Sequence, residues 1–394
     1  MWYNYNGPAG PFNMKSIYLD NAAATPIDAR VTKAMTAAQQ RFANPSAFNY
    51  LGRLMRQDIE SARSIVGQFL NARADEITFT SSGSEANNLA LSVIKKGVVI
   101  TTPIEHPSVL EPLKKNKSLK VKYVPVGSDG IVDLTGFQNM LFKDCGLVSI
   151  MYANNEIGSI QPIQRISKII RQFNSKNKTN ILFHVDACQA AGFLDMNVQH
   201  LGADLITFNG SKIYGPRGIG VLYTRRGIKL NPITLGGSQE HGARAGTENF
   251  PAIIGLVQAL LLIDSKKAKS IATVRDYMIH QVEKQIPQAL LTGPAAGENR
   301  IANSVSVCIC DLESENLLLE LDKYGIAAGS GSACTSHSVE PSHVLTAVGI
   351  PKSFINGAVR FSLGRDTTKK DVEHVVKTLG KVVSTLQKRY ARLR

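Results

Sequence analysis

Three short stretches carry residue types that could do chemistry together. Asp204-Leu-Ile-Thr-Phe-Asn-Gly-Ser-Lys-Ile-Tyr-Gly-Pro-Arg-Gly-Ile-Gly220 delivers one lysine, Lys212, from an apolar run into a turn rich in glycine and proline. His184-Val-Asp-Ala-Cys-Gln189 places Asp186 at the end of a second apolar run. In the third, Ile77-Thr-Phe-Thr breaks into Ser81-Ser-Gly-Ser-Glu-Ala-Asn-Asn88, a small-residue turn opening a helix. A partly desolvated amine, a buried carboxylate and free amides at a helix start are what pyridoxal phosphate (PLP) requires. The amine forms a Schiff base, the carboxylate partners the pyridine nitrogen, and the turn takes the phosphate. Each signal alone has a plainer reading. Ser82 and Glu85 have the spacing of a capping box, and Asp186 must be paired somewhere, since a lone buried charge is costly.

Three more residues join them. His106, in Glu105-His-Pro107, is either a satisfied loop histidine or a group that stacks on a cofactor ring and shuttles protons. Arg360, inside the apolar run Ala358-Val-Arg-Phe-Ser-Leu-Gly364, needs a carboxylate, either an internal one or that of an amino-acid substrate gripped in bidentate fashion. Cys334 lies in Ala327-Ala-Gly-Ser-Gly-Ser-Ala-Cys-Thr-Ser336, among small residues with nothing bulky to pack it, as suits an attacking thiol that travels. Cys145, Cys188, Cys308 and Cys310 read instead as packing residues. Alternation along 304–310 puts Cys308 and Cys310 on one sheet face, which is too few ligands for a metal.

The elements that position these residues follow from periodicity. From Ile77 to Tyr223, short β-rich runs alternate with helical patterns, predicting an α/β fold with a mainly parallel sheet and helices on both faces. Ligands in such sheets sit at the carboxyl ends of the strands, where Ser84, His106, Asn155, Asp186 and Lys212 all fall. Beyond Asn249 the pattern becomes α+β, ending in a helix with Val372, Val375, Val376, Leu379, Val383 and Leu386 on one face. This predicts a large domain over 27–262 and a smaller one built from 14–26 plus 263–394. Asn174 to Asn180 reads as a polar surface loop. Residues 1–13 are uncharged and lack a continuous apolar stretch, so they are no signal peptide. They read as an extension or leader, ordered or not, outside the fold.

At 394 residues and 43% hydrophobic, the composition is that of a globular protein, with no apolar run long enough to span a membrane. Five cysteines without a repeated CxxC spacing argue against a disulfide framework or zinc site and for a reducing, cytoplasmic setting. The net charge of +14 is mostly scattered, which fits a generally basic surface and leaves room for an acidic partner. With no RNA-binding motif, no direct nucleic-acid partner is expected.

Taken together, the motifs Tyr18-Leu-Asp-Asn-Ala-Ala-Ala-Thr-Pro26, Ser82-Gly-Ser-Glu-Ala-Asn-Asn88, Glu105-His106, Asn154-Asn-Glu-Ile-Gly158, His184-Val-Asp-Ala-Cys-Gln189, Ser211-Lys-Ile-Tyr-Gly-Pro216, Arg244-Ala-Gly-Thr247, Gly331-Ser-Ala-Cys-Thr-Ser336 and Arg360-Phe-Ser-Leu-Gly-Arg365 resemble those of the group I (NifS/IscS-like) cysteine desulfurases. These form a branch of the fold-type I aminotransferase superfamily, and the resemblance runs from Ile17 to the last helix. It implies a seven-stranded sheet, a homodimer, and PLP-dependent conversion of L-cysteine to L-alanine with sulfur left on Cys334 as a persulfide. By the same resemblance Lys212 holds PLP, Asp186 faces the pyridine nitrogen and His106 stacks on the ring. Gln189 and Asn155 contact the phenolate oxygen or substrate, and Arg360 binds the substrate carboxylate. The phosphate falls to Gly83, Ser84, residues just before Lys212, and Thr247 from the second subunit. Where the family commonly has serine and histidine before the lysine, this chain has Asn209 and Ser211, which still donate hydrogen bonds. The sulfur acceptor would be an iron–sulfur scaffold or a tRNA-thiolating enzyme. Related readings are a selenocysteine lyase, a cysteine sulfinate desulfinase, or a silent dimeric scaffold-binding homologue.

Overall fold

The computed structural model describes residues 16–331 and 341–391; residues 1–13 and Cys334 lie outside the described residues. Seven strands form the main sheet in the order Ile77–Thr80, Gly220–Thr224, Leu205–Asn209, Leu182–Asp186, Cys145–Ser149, Gly97–Thr101 and Leu119–Tyr123. Only Gly220–Thr224 runs antiparallel to its neighbours. The mainly parallel, seven-stranded sheet is therefore present.

A sheet covered on both faces must be apolar on both, and neighbouring residues in these strands divide accordingly. Val99, Leu147, Leu205 and Leu222 pack with Leu89 and Val109, from the helices Gly83–Leu91 and Pro107–Lys115. The adjacent residues Ile100, Val148, Ile206 and Val221 face the opposite way. They share a core with Val66, Ile166 and Leu256, from the helices Tyr50–Leu70, Ile163–Asn177 and Phe250–Leu261.

A second core gathers Leu19 with residues from Ile271 to Leu386, around the three-stranded sheet Ala289–Leu291, Ser304–Ile309 and Ala358–Ser362. The last helix, Lys369–Ala391, buries the face carrying Val372, Val375, Val376, Leu379, Val383 and Leu386. The chain's first strand, Ile17–Tyr18, pairs in parallel with Ile326–Ala327 rather than with the seven-stranded sheet.

Two local expectations are corrected. The stretch Asn174 to Asn180 is not all loop, because the helix Ile163–Asn177 takes its first four residues. The turn that follows is built on Asn174, whose Oδ1 accepts from Thr179 Oγ1 at 2.8 Å and Ile181 N at 2.9 Å, with Lys178 at φ 52°. A side-chain amide that copies a backbone turn makes so polar a run compatible with helix up to its last residue. Cys310 does not share a strand face with Cys308, since the strand ends at Ile309. Among the described residues no group of three histidine, cysteine or acidic side chains could hold a metal. Nor is any helix there long and apolar enough to cross a membrane.

Candidate active site

The carboxyl ends of the parallel strands open on a cavity of about 310 Å³, within the span of roughly 300–1,000 Å³ usual for small-ligand sites. Gly83, Ser84, His106, Asn155, Asp186, Gln189, Asn209, Ser211, Lys212 and Arg360 all line it. Thr247 does not; it is exposed and borders a separate recess with Arg244.

Asp186 ends the strand Leu182–Asp186 and is 5% exposed. Its two oxygens accept from Asn87 Nδ2 at 2.7 Å and from the Cys188 amide at 3.0 Å. Donors on both oxygens fix the orientation of the carboxylate. Asn87 also donates to Ser108 Oγ at 2.9 Å, and Ser108 Oγ lies 2.7 Å from His106 Nδ1. Carboxylate, amide, hydroxyl and imidazole thus form one chain.

His106 is the N-cap of the helix Pro107–Lys115, its Nδ1 accepting the Ser108 N–H at 3.1 Å. Burial holds its pKa below the ordinary 6.5, against the nearby charge of Asp186. His184, one turn of the pleat before Asp186, is a different case. Held between Ser149 Oγ at 2.9 Å and Thr207 Oγ1 at 3.2 Å, it is pushed down to about 4 by burial and serves as a neutral core group.

Lys212 ends the short turn Gly210–Lys212, directly after the strand Leu205–Asn209, and its Nζ donates to the Ala23 carbonyl. The loop after the first strand thereby joins the site, and Gln189 Nε2 ties to it as well, at 3.0 Å from the Ala22 carbonyl. Ser211 Oγ donates to Asn209 Oδ1 at 3.1 Å, so the two substituted positions hold each other beside the lysine.

The helix Gly83–Leu91 points its N-terminus into the cavity. Ser82 caps it by accepting the Glu85 amide at 3.2 Å, but Glu85 reaches back to Ser81 N at 2.6 Å and to Arg244, so the capping box is only half formed. A Cβ at Gly83 would stand 2.6 Å from Cys188 Sγ and 2.8 Å from Asn209 Nδ2. Only glycine lets the helix start approach the lysine turn this closely.

Arg360 has the internal carboxylate that one of its two sequence readings required. Its guanidinium is 1% exposed, donating to Asp20 Oδ1 at 2.7 Å and the Asn155 carbonyl at 3.0 Å, yet its Nε is buried without a partner among the described residues. A buried charged donor left unmet at a cavity wall is a place for an anionic ligand group.

These features fit PLP: backbone amides and hydroxyls for a phosphate, a buried carboxylate held by two donors, a lysine at a strand end, and an imidazole beside them. A family model, aminotransferase class V, matches residues 17–375. The chain belongs to the class-V aminotransferase family. It is 41% identical over 385 residues to the cysteine desulfurase IscS of Dictyoglomus turgidum, covering 95% of this chain and 96% of that protein. Among solved structures, a NifS-like protein superposes with a TM-score of 0.86 at 34% identity, covering 94% of this chain and 100% of the other. Another, SspA in complex with cysteine, has a TM-score of 0.76 at 31% identity and covers 89% and 99%. This class-V chain is an enzyme of the cysteine desulfurase branch.

Several residues in and around the cavity were not singled out from sequence. Asn87 lay inside a quoted motif, but nothing local shows that it orients Asp186. Glu156 and His343 also line the cavity, with no motif to announce His343. Cys188 is not only a packing residue, because it stands in the cavity wall; burial and Asp186 raise its pKa well above 9.0, which keeps it a poor nucleophile. Cys145 and Cys308 are buried thiols pushed up to about 11 and about 12.

Glu105 supplies a pH prediction. Its Oε1 accepts from Thr102 Oγ1 at 2.7 Å and Met151 N at 3.0 Å, its Oε2 has no partner among the described residues, and burial pushes it up from 4.5 to about 8. Between those values the folded state keeps a proton that the unfolded state has released, so stability falls as pH rises through the window. Glu105→Gln retains the accepting oxygen and removes the titration. Denaturant unfolding at about pH 5 and about pH 8 should therefore show a smaller loss in Glu105→Gln than in the parent.

Proposed function

We propose that the protein takes sulfur from L-cysteine, releases L-alanine and carries the sulfur as a persulfide on Cys334. The observation that carries this reading is the convergence of Lys212, Asp186, His106 and Arg360 on one cavity. PLP, when bound, supplies the conjugated electron sink that weakens bonds at the substrate's Cα and Cβ.

The chain's own residues do the rest. Lys212 holds the cofactor and moves the proton at Cα. Asp186, held in place by Asn87 and the Cys188 amide, would partner the pyridine nitrogen. His106 would stack on the cofactor ring, while Gln189 and Asn155 would contact its phenolate oxygen or the substrate. Gly83, Ser84, Asn209 and Ser211 hold the phosphate, aided by the dipole of the helix Gly83–Leu91. Thr247, which does not line its own chain's cavity, serves the phosphate of a second copy in a homodimer. Arg360 binds the α-carboxylate, and its tie to Asp20 fixes the guanidinium before substrate arrives.

The four described cysteines are free, which suits a reducing cytoplasm. The sulfur passes to an acceptor protein, either an iron–sulfur scaffold or a tRNA-thiolating enzyme, and the charge of +14 favours an acidic one. Side-by-side kinetics of the holoprotein with a thiol reductant test the substrate. Alanine should form from L-cysteine with a kcat/KM above those for selenocysteine and cysteine sulfinate. A higher value for either of the other two would replace this reading.

A further inference from the structure

The cavity holds a second histidine, His343, and the two rings, both protonated on Nε2, are anchored through opposite nitrogens. His106 Nδ1 accepts the Ser108 N–H, so its neutral ring carries the proton on Nε2. His343 Nε2 lies 2.9 Å from the Glu105 carbonyl oxygen, which can only accept, so here Nε2 carries the proton and Nδ1 keeps its lone pair. Among the described residues the His343 ring makes no other hydrogen bond. His106 is thus anchored at Nδ1 by Ser108 and His343 at Nε2 by the Glu105 carbonyl, which leaves His343 with Nδ1 as a proton acceptor in the cavity. Ser342, next to His343, donates to Glu156 Oε2 at 2.5 Å, which fixes the start of the helix His343–Ala347.

We propose that His343 is the base that takes up the proton released as the sulfur–sulfur bond forms. The step rests on the desulfurase reading above. The S–H bond of the attacking thiol breaks and its proton goes to Nδ1. The new S–S bond forms with that sulfur's electron pair, and the substrate's Cβ–S bond breaks with its pair left on carbon. No outside oxidant or reductant is needed.

The surroundings keep the ring basic in form at neutral pH. Burial holds its pKa below the ordinary 6.5, Lys114 lowers it further, and the Glu105 carbonyl and Glu111 act the other way. His106 and Glu156 line the same cavity, and Glu156 accepts from the neighbouring Ser342.

The test compares the holoenzyme with its His343→Gln variant, whose amide can still donate to the Glu105 carbonyl. Desulfuration kcat/KM should fall about 10²–10⁴-fold, the range of a lost general base. The parent's profile should level off above about pH 7, whereas the variant's should keep climbing as the attacking thiol, ordinarily near 8.5, ionises unaided. Exchange of the Cα proton of L-alanine in heavy water, which needs Lys212 but no thiol, should match the parent. An unchanged kcat/KM and pH profile overturns the proposal. So does a loss of exchange in step with desulfuration, which marks a structural role. If the parent exchanges L-alanine but makes none from cysteine, the desulfurase reading itself fails and the proposal goes with it.

Discussion

Lys212→Ala abolishes alanine release from L-cysteine, lowering the rate by more than about 10⁴-fold, and removes the visible absorption of lysine-bound PLP. Two contributions are lost together. A covalent anchor disappears, and so does the base at Cα, itself worth about 10²–10⁴. Backbone places Lys212: the strand Leu205–Asn209 ends, the turn Gly210–Lys212 follows, and Nζ meets the Ala23 carbonyl. Gly210 is fixed in that turn, since a Cβ there would lie 2.7 Å from the Pro216 carbonyl. The fold around an alanine at 212 should therefore survive, and added PLP should still bind through Ser84 and the helix start without the lysine-bound spectrum. Absorption spectra with an alanine assay check both halves.

Asp186→Asn keeps the shape of the side chain and removes its charge. The expected result is a fall in kcat of about 10²–10³, the scale found when one preorganised electrostatic partner is lost from a buried site, with much less change in KM. Asn87 makes this a test of charge. In the variant its Nδ2 can still donate to the amide oxygen at 186, so the chain Asn87–Ser108–His106 stays connected. A loss confined to KM would instead mean that Asp186 holds substrate or cofactor in place without tuning it. Steady-state kinetics on the PLP-saturated variant separates the two.

How far the site was legible in sequence depends on what each residue's neighbours reveal. Asp186 and Lys212 stand out because each ends an apolar run, and a charged group at the end of a buried parallel strand has few places to be. The strands themselves are readable because both faces are buried; Val99 and Ile100 are both fully enclosed, on opposite sides of the sheet. Arg360 was readable as needing an anion, but sequence left open which one. The structure gives it Asp20, 340 positions away, and leaves Nε over.

What stayed hidden has the same cause throughout: the partner is far off in sequence. Asn87 meets Asp186 across 99 positions, and His343 reaches the Glu105 carbonyl across 238. Neither distance leaves a periodic trace. The turn built on Asn174 is the local exception, where helix and turn use the same polar residues and composition alone reads as loop. Cys188 shows a further limit. It fits the apolar pattern of a packing residue and yet faces the cavity, because the Asp186 strand ends just before it.

Cys188 also makes the most direct test of the account a comparison between two thiols. The holoenzyme is incubated with L-cysteine without reductant, digested, and the peptides carrying Cys334 and Cys188 are weighed. The account predicts one added sulfur on the Cys334 peptide in step with alanine released, none on Cys188, and neither product sulfur nor turnover in Cys334→Ser. Added sulfur on Cys188, or alanine formed by Cys334→Ser at the parent's rate, would contradict it.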